Sequence, residues 1–291
     1  MTAPNHDLPK LDLNCIPSDA AELDLSKFPD FLILGPQRTG TTWLHSNLGQ
    51  HPQVFLSEPK ELYYFNCLKG ESEDCYFSPL DGADITDLGD YLDHFKDSPH
   101  QWFRKTAKSF HRYGERYMPI RRGEASAHYA LLPEDVIADI TALQPDLRAI
   151  ILIRDPVERA WSHAKKDLAR NAGVPLEAVP QEDFYAFFNQ SYQRRCADYK
   201  TMLETWRTAL KPGHLYIGFQ KRIATGPEQQ LREIYKFLDI RSDEKYIHQT
   251  SLSKIVNSTV KASPPEHLQR YLEDLFAEER DWLTKTFGSK V

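Results

Sequence analysis

Short apolar runs alternate along this chain with stretches in which apolar and polar residues follow helical spacing. Residues 31–34 form one such run, which ends at Gly35, and residues 54–56 form a second. Residues 148–153 carry the strongest strand signal, Ala-Ile-Ile-Leu-Ile, which is typical of a strand inside a parallel sheet. Residues 214–219 form a fourth run after a Pro-Gly turn. These four runs predict four β-strands.

Helical patterns and helix-start signals fill the intervals between the runs. Asp155 as N-cap, Pro156 at the first helical position and Glu158 near the third predict a helix after the strongest strand. Further helices are predicted at 41–48, at 133–143, at 182–210 as one or two helices, at 227–238, and at 265–287 as one long helix. The alternation predicts an α/β doubly wound fold, a parallel sheet with helices on both faces, whose sites lie at the carboxyl ends of the strands.

Composition along the chain predicts one domain with a short lead-in. Residues 1–27 are polar and dotted with proline, which favours an irregular segment. We expect residues 28–291 to form a single domain. Within it, residues 66–120 are dense in aromatic side chains and contain a cluster of acids, which favours an insertion of helices and loops.

Bulk properties describe an ordinary globular protein and narrow its partners. Of 291 residues, 41% are hydrophobic and 27% charged, and the net charge of −6 argues against a nucleic-acid partner. No apolar run approaches the ~20 residues of a membrane span, and no secretory signal is visible. The four cysteines include no C-x-x-C pair. Although Cys67 and Cys75 could approach each other, we interpret them as free thiols of a cytoplasmic protein.

The first apolar run ends in a loop whose glycines have the spacing of a phosphate-binding P-loop. Gly35 and Gly40 match G-x-x-x-x-G-K-[ST], and Thr42 occupies the Ser/Thr position. Thr41 stands where the lysine belongs, so Arg38 is the only cation in the loop. Backbone N–H groups and a helix N-terminus bind phosphate or sulfate without that lysine. We therefore predict a site for a phosphate-like group rather than for a triphosphate with magnesium.

A second strand-to-helix junction lies at 154–162. Arg154 follows the strand, and Ser162 lies seven residues after Asp155, on nearly the same helix face. An arginine and a hydroxyl on one face would hold a second phosphate, with two hydrogen bonds from the guanidinium. A ligand with two separated anionic ends fits the two junctions better than ATP does. The alternative is a capped helix with a surface ion pair.

Four motifs carry a family resemblance. They are Gly-Pro-Gln-Arg-Thr-Gly-Thr-Thr-Trp-Leu from residue 35, Lys-Glu-Leu-Tyr-Tyr-Phe from residue 60, Gly-Glu-Ala-Ser-Ala-His-Tyr from residue 123, and Leu-Ile-Arg-Asp-Pro-Val-Glu-Arg-Ala-Trp-Ser from residue 152. In order and spacing they resemble the sulfotransferases that use 3′-phosphoadenosine 5′-phosphosulfate (PAPS), in the heparan-sulfate and bacterial branch. The resemblance implies the sulfotransferase fold. It also implies transfer of a sulfuryl group by in-line displacement to a hydroxyl, with an amine as second choice, on a carbohydrate, lipid or small-molecule acceptor.

The resemblance also assigns roles to residues. The 5′-phosphosulfate of PAPS would be held by Pro36, Gln37, Arg38, Thr39, Gly40, Thr41, Thr42 and Trp43. Arg154 and Ser162 would bind the 3′-phosphate, which stays on the product, adenosine 3′,5′-bisphosphate (PAP). Lys261 would close over the nucleotide from the C-terminal side. Glu61 matches the catalytic base, Lys60 would steady the transferring group, and Arg38 completes the catalytic set.

Two departures and several nearby residues leave alternatives open. Ala125 stands where the heparan enzymes carry a lysine, and Tyr63 where some of them carry a histidine. Glu124 is a rival base or a buried partner of a basic residue. We expect His128 and His163 near the site, His45 and His51 at the polar surface, and Lys165-Lys166 on a solvated helix face. No H-E-x-x-H or similar spacing is present, so we predict no metal.

Two other functional classes compete with sulfuryl transfer. A P-loop nucleotide kinase or NTPase would need the lysine that Thr41 replaces and an acidic magnesium ligand at a strand end. A non-catalytic nucleotide-binding relative would keep the loop without the chemistry. For an enzyme, the acidic balance favours a neutral sugar, lipid or small alcohol as acceptor, placed in the aromatic-rich insertion. The sequence leaves the oligomeric state open.

Overall fold

The computed structural model describes residues 13–16, 24–68, 87–247, 252 and 263–291, and it contains a five-stranded parallel sheet. The strands are β1 Phe31–Gly35, β2 Val54–Leu56, β3 Arg121–Ala125, β4 Arg148–Ile153 and β5 Leu215–Phe219. Their order across the sheet is β2-β3-β1-β4-β5, and every neighbouring pair is parallel. The predicted α/β class is confirmed, and β4 is an interior strand as its unbroken apolar run indicates.

β3 is the strand that hydrophobic patterning missed. Its sequence, Arg-Arg-Gly-Glu-Ala, looks polar, yet Glu124 is fully buried beside β1. Gly123 lies against the ring of Phe31, because a Cβ there would come within 2.2 Å of the Phe31 Cζ atom. An apolar side chain of β1 therefore fills the space that a β3 side chain would otherwise occupy, and this contact leaves no signal in β3 itself.

Thirteen α-helices are described. They are α1 Thr41–Leu48, α2 Tyr64–Cys67, α3 Leu88–Asp93, α4 Pro99–Tyr113, α5 Glu134–Leu143, α6 Pro156–Ala164, α7 Gln181–Asn189, α8 Ser191–Ala197, α9 Tyr199–Ala209, α10 Gln220–Thr225, α11 Pro227–Phe237, α12 Glu266–Leu275 and α13 Ala277–Phe287. The predicted start of α6 is confirmed, since the Asp155 carboxylate accepts hydrogen bonds from the Val157 and Glu158 N–H groups. The first turn of α6 thus has its free N–H groups satisfied by the cap.

Two helix predictions were wrong in number. Residues 182–210 form three helices, because Gln190 (ψ 140°) and Asp198 (ψ 68°) leave the helical region between them. The single C-terminal helix is two, because Phe276 takes φ −116° and ψ 24° while its side chain is fully buried. In both places no glycine or internal proline marks the break, so the helical pattern alone cannot reveal it.

Both faces of the sheet are covered by helices. Alternate side chains of β1 enter different cores, with Leu32 and Leu34 on one face and Phe31 and Ile33 on the other. A third apolar cluster lies among α6, α7 and α12 and includes Trp161. All of β1 is therefore buried, and a ligand site is expected at the carboxyl end of the strand.

Candidate active site

The two strand-to-helix junctions are neighbours in space. β1 and β4 pair directly, with Leu32 opposite Ala149 and Ile33 opposite Ile150. Parallel pairing brings the carboxyl ends of both strands to the same edge of the sheet. The loop between β1 and α1 therefore lies beside the junction between β4 and α6, as the two-anion interpretation requires.

Two glycines fix the shape of the loop. Gly35 and Gly40 both have φ of 103°, a region that L side chains rarely adopt. A Cβ on Gly35 would lie 2.1 Å from the carbonyl oxygen of Ala127, and one on Gly40 would lie 2.3 Å from Ile223 Cδ1. The loop is thus pressed between the segment after β3 and helix α10.

The other side chains of the loop and of the start of α1 differ in burial and in their hydrogen bonds. The Thr39 hydroxyl is buried and donates to the Pro36 carbonyl at 2.8 Å. Thr41 is buried at the start of α1, whereas Thr42 is partly exposed. Trp43 belongs to the core, and its indole N–H donates to the Leu252 carbonyl at 3.4 Å. The structure therefore gives Trp43 a packing role.

The cationic side chains of the two junctions meet. Arg38 Nε donates to Ser162 Oγ at 3.0 Å, and Arg154 Nη1 donates to the Arg38 carbonyl at 3.1 Å. Arg154 also pairs with Glu158 through Nε at 3.4 Å, so the predicted surface ion pair is present as well. The Tyr199 hydroxyl accepts from the Arg154 backbone N–H at 3.2 Å. Both guanidinium groups are thereby held at the edge of the sheet, next to a helix N-terminus.

A third cation that the sequence analysis assigned to a solvated helix face joins this group. Burial, then the charges of Arg154 and Arg38, lower the pKa of Lys165. Burial and the charge of Arg154 likewise lower the pKa of Arg38. Lys165 begins a π-helical segment, Lys165–Asn171, that continues α6 and is typical of functional sites. Three partly buried cations that repel one another make a strong site for an anion.

On the other side of the site, Lys60, Glu61 and Tyr63 form one cluster. Lys60 Nζ donates to Glu61 Oε1, and the Tyr63 hydroxyl donates to Glu61 Oε2 at 2.7 Å. Burial opposes ionisation of Glu61, but the Lys60 charge and these hydrogen bonds together hold its pKa below the ordinary 4.5. Glu61 is therefore a carboxylate at neutral pH, able to accept a proton.

Backbone strain coincides with the same residues. The described residues contain four non-glycine positions with positive φ, and three of them are Arg38 (71°), Glu61 (67°) and Tyr63 (58°). Such conformations cost on the order of 1–3 kcal/mol each and persist where the surroundings enforce them. Their concentration at the predicted base and in the loop supports a functional site here.

His128 connects the two sides. The amide of Gln37, in the loop, contacts His128 Nε2, which also lies 3.1 Å from the Tyr192 hydroxyl. The Tyr63 ring meets the His128 ring edge-on at 5.3 Å. The Gln37 amide oxygen is buried and receives no hydrogen bond from any residue that the structure describes. The loop and the predicted base thus share one histidine neighbour.

Glu124 is a structural residue, not a partner of a basic side chain. It is fully buried and accepts hydrogen bonds from the Tyr91 and Ser126 hydroxyls, both at 2.6 Å. Burial raises its pKa. The carboxyl group is enclosed by hydroxyls, so Glu124 lacks the access that a catalytic base needs.

The remaining histidines are held by contacts within the protein, and one of them, His51, contradicts the expected surface position. His163 is buried, 3.0 Å from the Gln193 amide nitrogen and 2.9 Å from Asp167. His51, expected at the polar surface, is 1% exposed and lies between the rings of Tyr235 and Tyr246. His45 and His51 are both neutral at physiological pH, since burial lowers the pKa of each to about 4.

Two residues named in the sequence analysis are not among the described residues. Lys261 and Cys75 lie outside the described residues. Cys67 and Cys196 are buried, and Cys15 is partly buried. Within the described ranges, no group of three or more His, Cys, Asp or Glu side chains is placed to hold a metal ion. Nor does this part of the chain contain a helix of sufficient length and apolarity to cross a bilayer.

A comparison with protein-family profiles identifies the class. The profile described as the sulfotransferase family matches residues 29–244, which include both junctions and the Lys60–Glu61 pair. The chain therefore belongs to the sulfotransferase family.

Individual relatives agree. The chain is 28% identical, over 235 residues, to the human bifunctional heparan sulfate N-deacetylase/N-sulfotransferase 2, a match that covers 75% of this chain and 23% of that protein. It is 30% identical, over 166 residues, to the membrane-associated sulfotransferase kil1 of Dictyostelium discoideum, covering 56% of this chain and 28% of that protein. The chain thus spans about a quarter of the length of these curated relatives.

Among solved structures, a sulfotransferase from Alicyclobacillus acidocaldarius has the same fold. The two superpose with a TM-score of 0.62 at 19% identity, covering 90% of this chain and 97% of that one. This likeness supports the α/β sulfotransferase architecture and leaves the residue roles to be argued from the site.

Proposed function

We propose that this protein transfers a sulfuryl group from PAPS to a hydroxyl, or second to an amine, of a glycan, lipid or small-molecule acceptor. The observation that carries the proposal is the meeting of Arg38, Arg154 and Ser162 at the joined ends of β1 and β4, with Glu61 ionised nearby. The family to which the chain belongs supports the same reaction.

The residues at the two junctions suit a nucleotide with two anionic ends. The loop presents a helix N-terminus and a backbone shaped by Gly35 and Gly40. The cations Arg38, Arg154 and Lys165 repel one another, and a dianion would relieve that repulsion. The assignments of residues 36–43 to the 5′-phosphosulfate and of Arg154 and Ser162 to the 3′-phosphate remain proposals, as does that of Lys261.

The side chains then have separate tasks. PAPS supplies the sulfuryl group and leaves as PAP. Glu61 would accept the proton of the acceptor hydroxyl, and Tyr63 and Lys60 hold its carboxylate in place. Arg38 and the N-terminus of α1 would stabilise negative charge at the leaving phosphate oxygen. The Lys60 ammonium would steady the transferring group while it pairs with Glu61.

For the acceptor, the partners and the location, we propose what the sequence leads us to expect. We keep the acceptor open among glycans, lipids and small alcohols, and we propose that no metal and no nucleic acid takes part. We also propose the cytoplasmic location that the sequence leads us to expect. Fluorescence microscopy of a tagged full-length chain tests this location.

Ligand binding separates this proposal from a kinase or NTPase. We expect PAP to raise the melting temperature of the protein and magnesium-ATP to have little effect. The variant Arg154→Gln should lose the rise in melting temperature with PAP. The control variant Arg207→Gln, which removes an exposed arginine of α9, should keep it. Stabilisation by magnesium-ATP alone would overturn the proposal. Screening labelled PAPS against glycans, glycolipids and small alcohols would then identify the acceptor.

A further inference from the structure

A cavity of 380 Å³ lies between helix α4 and the segments that flank α1 and β2. Its wall includes His45 of α1, Glu58 of the segment after β2, and a row of residues along α4. It contains none of the loop residues 36–43 and neither Arg154 nor Ser162. The cavity is therefore separate from the proposed nucleotide site.

The charge of this cavity is the reverse of that of the whole chain. Helix α4 contains no Asp or Glu, and four of its cations line the cavity: Arg104, Lys105, Lys108 and Arg112. Among the described residues of the wall, Glu58 is the only one with a carboxylate. In a chain whose net charge is −6, this is a strong local concentration of positive charge.

Three of these four cations keep their charge available. Lys105 pairs with Asp97 at 2.7 Å and lies over the Phe55 ring. By contrast, Arg104, Lys108 and Arg112 form no ion pair with any residue that the structure describes, although Arg112 Nη1 donates to the Gln50 amide oxygen at 2.5 Å. Positions 104, 108 and 112 are spaced i, i+4 and i+8, so they follow one face of α4.

Neutral polar groups complete the wall. Ser109 is 5% exposed, and its hydroxyl has no hydrogen-bond partner within the described ranges. The Tyr113 and Tyr117 rings supply apolar surface with a hydroxyl at the end. His45, which is neutral, can offer a hydrogen bond without adding charge, since its buried Nε2 atom has no partner among the described residues. Unpaired cations, a buried hydroxyl and aromatic rings together suit an organic anion that also carries hydroxyl groups.

We propose that this cavity is a second anion-binding site, which takes a carboxylate or sulfate group borne by a molecule of about the size of a sugar. Lys108 and Arg112 bind the anionic group, and Ser109 binds a neighbouring polar atom. Net charge does not reveal this site, because the cations are gathered on one helix face.

One short segment of the chain connects the cavity to the proposed transfer site. Glu58 lies in its wall, and Glu61 follows three residues later. The charges of Lys60 and Glu61 also act on His45. Binding at the cavity nevertheless requires no sulfuryl transfer, so its test can fail or succeed independently of the proposed function.

The test measures binding to the full chain saturated with PAP, so that the nucleotide site is blocked. Calorimetric or NMR titrations use glucuronate, glucose 6-sulfate and neutral glucose as probes. We expect both acids to bind at least about tenfold more tightly than glucose, because charge-assisted hydrogen bonds are lost with the neutral probe. Equal binding of glucose, or no binding of either acid in the millimolar range, would overturn the proposal.

Matched variants locate the site. The double variant Lys108→Gln/Arg112→Gln should weaken binding of both acids about tenfold or more. Lys200→Gln/Arg207→Gln removes the same charge from the exposed face of α9 and should leave affinity within about twofold. Ser109→Ala should weaken binding without lowering the melting temperature, since its hydroxyl has no described partner to lose. Equal losses in both double variants would show an unspecific charge effect and overturn the proposal.

Discussion

Arg38 Nε donates a hydrogen bond to Ser162 Oγ at 3.0 Å, across 124 residues of sequence. The family resemblance assigns these two residues to opposite ends of the donor nucleotide. In the structure they touch, and the Arg154 guanidinium also donates to the Arg38 carbonyl. The two junctions thus form one continuous polar surface, on which Ser162 orients the only cation of the loop.

This contact leads to a first prediction, for Ser162→Ala. Loss of a hydrogen bond to a charged group costs about 1.5–3 kcal/mol, so we expect the dissociation constant of PAP to rise about tenfold or more. Isothermal titration calorimetry at fixed salt measures the change. Ser46→Ala, at an exposed position of α1, is the control and should bind PAP as the wild type does. Unchanged affinity in Ser162→Ala would remove Ser162 from the nucleotide site.

The fold was predictable from sequence wherever a strand or helix carried its own signal. β4 is an apolar run and α6 begins with a full cap, so the predicted positions of both are confirmed. β3 was not predictable, because the ring of Phe31 supplies the packing that Gly123 lacks. Contacts between distant residues decide such cases, and local patterning contains no record of them.

Some residues of the candidate site could likewise be predicted from the sequence, and others could not. Arg38, Arg154 and Ser162 could be identified from motifs, and parallel strand pairing then brings them together. Lys165 could not, because a π-helical segment and the neighbouring arginines decide its environment. His128 was identified as a candidate, but its position between the loop and Tyr63 depends on tertiary packing.

The second prediction concerns the base. Glu61→Gln should lower kcat about 10²–10⁴-fold, because the amide cannot accept the proton of the acceptor. The dissociation constant of PAP should change little, since the substitution does not alter the cations of the nucleotide site. Radiolabelled transfer from PAPS measures kcat once an acceptor is known, with the exposed Glu182→Gln as control. A wild-type rate in Glu61→Gln would show that another group acts as base.

The third prediction follows from the pKa of Glu61. Activity needs the carboxylate, so kcat/KM should fall as pH drops through this pKa, which lies below 4.5. Lys60→Gln removes the cation that lowers the pKa of Glu61, while burial still raises it. The pKa of Glu61 should therefore rise, and the fall of kcat/KM on the acid side should move to higher pH. A pH profile of kcat/KM measures this shift, with Lys200→Gln as control. An acid limb that stays in place in Lys60→Gln would contradict the coupling of Lys60 to Glu61.

The fourth prediction separates Glu124 from Glu61. Glu124→Gln keeps one acceptor oxygen, and the hydroxyl that faces the new NH2 group can turn to accept from it, so we expect a small stability change and near wild-type activity. Glu124→Ala removes the acceptor to which both buried hydroxyls donate and should cost about 3 kcal/mol of unfolding free energy. Urea denaturation and the transfer assay measure the two effects. A folded Glu124→Gln variant as inactive as Glu61→Gln would make Glu124 the base.

The fifth prediction concerns acid stability and His51. The Gln53 N–H donates to His51 Nδ1 at 3.1 Å, so the ring must be neutral, and its Nε2–H donates to the Arg241 carbonyl at 3.0 Å. Burial lowers its pKa from 6.5 to about 4. A histidine with a lowered pKa contributes stability above pH 6.5 that is lost as pH falls toward 4.

The size of this loss can be measured with His51→Gln, whose amide can make both hydrogen bonds at any pH. At about 1.4 kcal/mol per pKa unit, His51 accounts for a loss on the order of 3 kcal/mol. Urea denaturation at steps between pH 7 and pH 4 should therefore show a shallower decline for His51→Gln than for the wild type. Some decline should remain, because His45 has an equally lowered pKa. His267→Gln, at an exposed position, should decline as the wild type does, and an equal decline in His51→Gln would show that His51 is not the group that titrates.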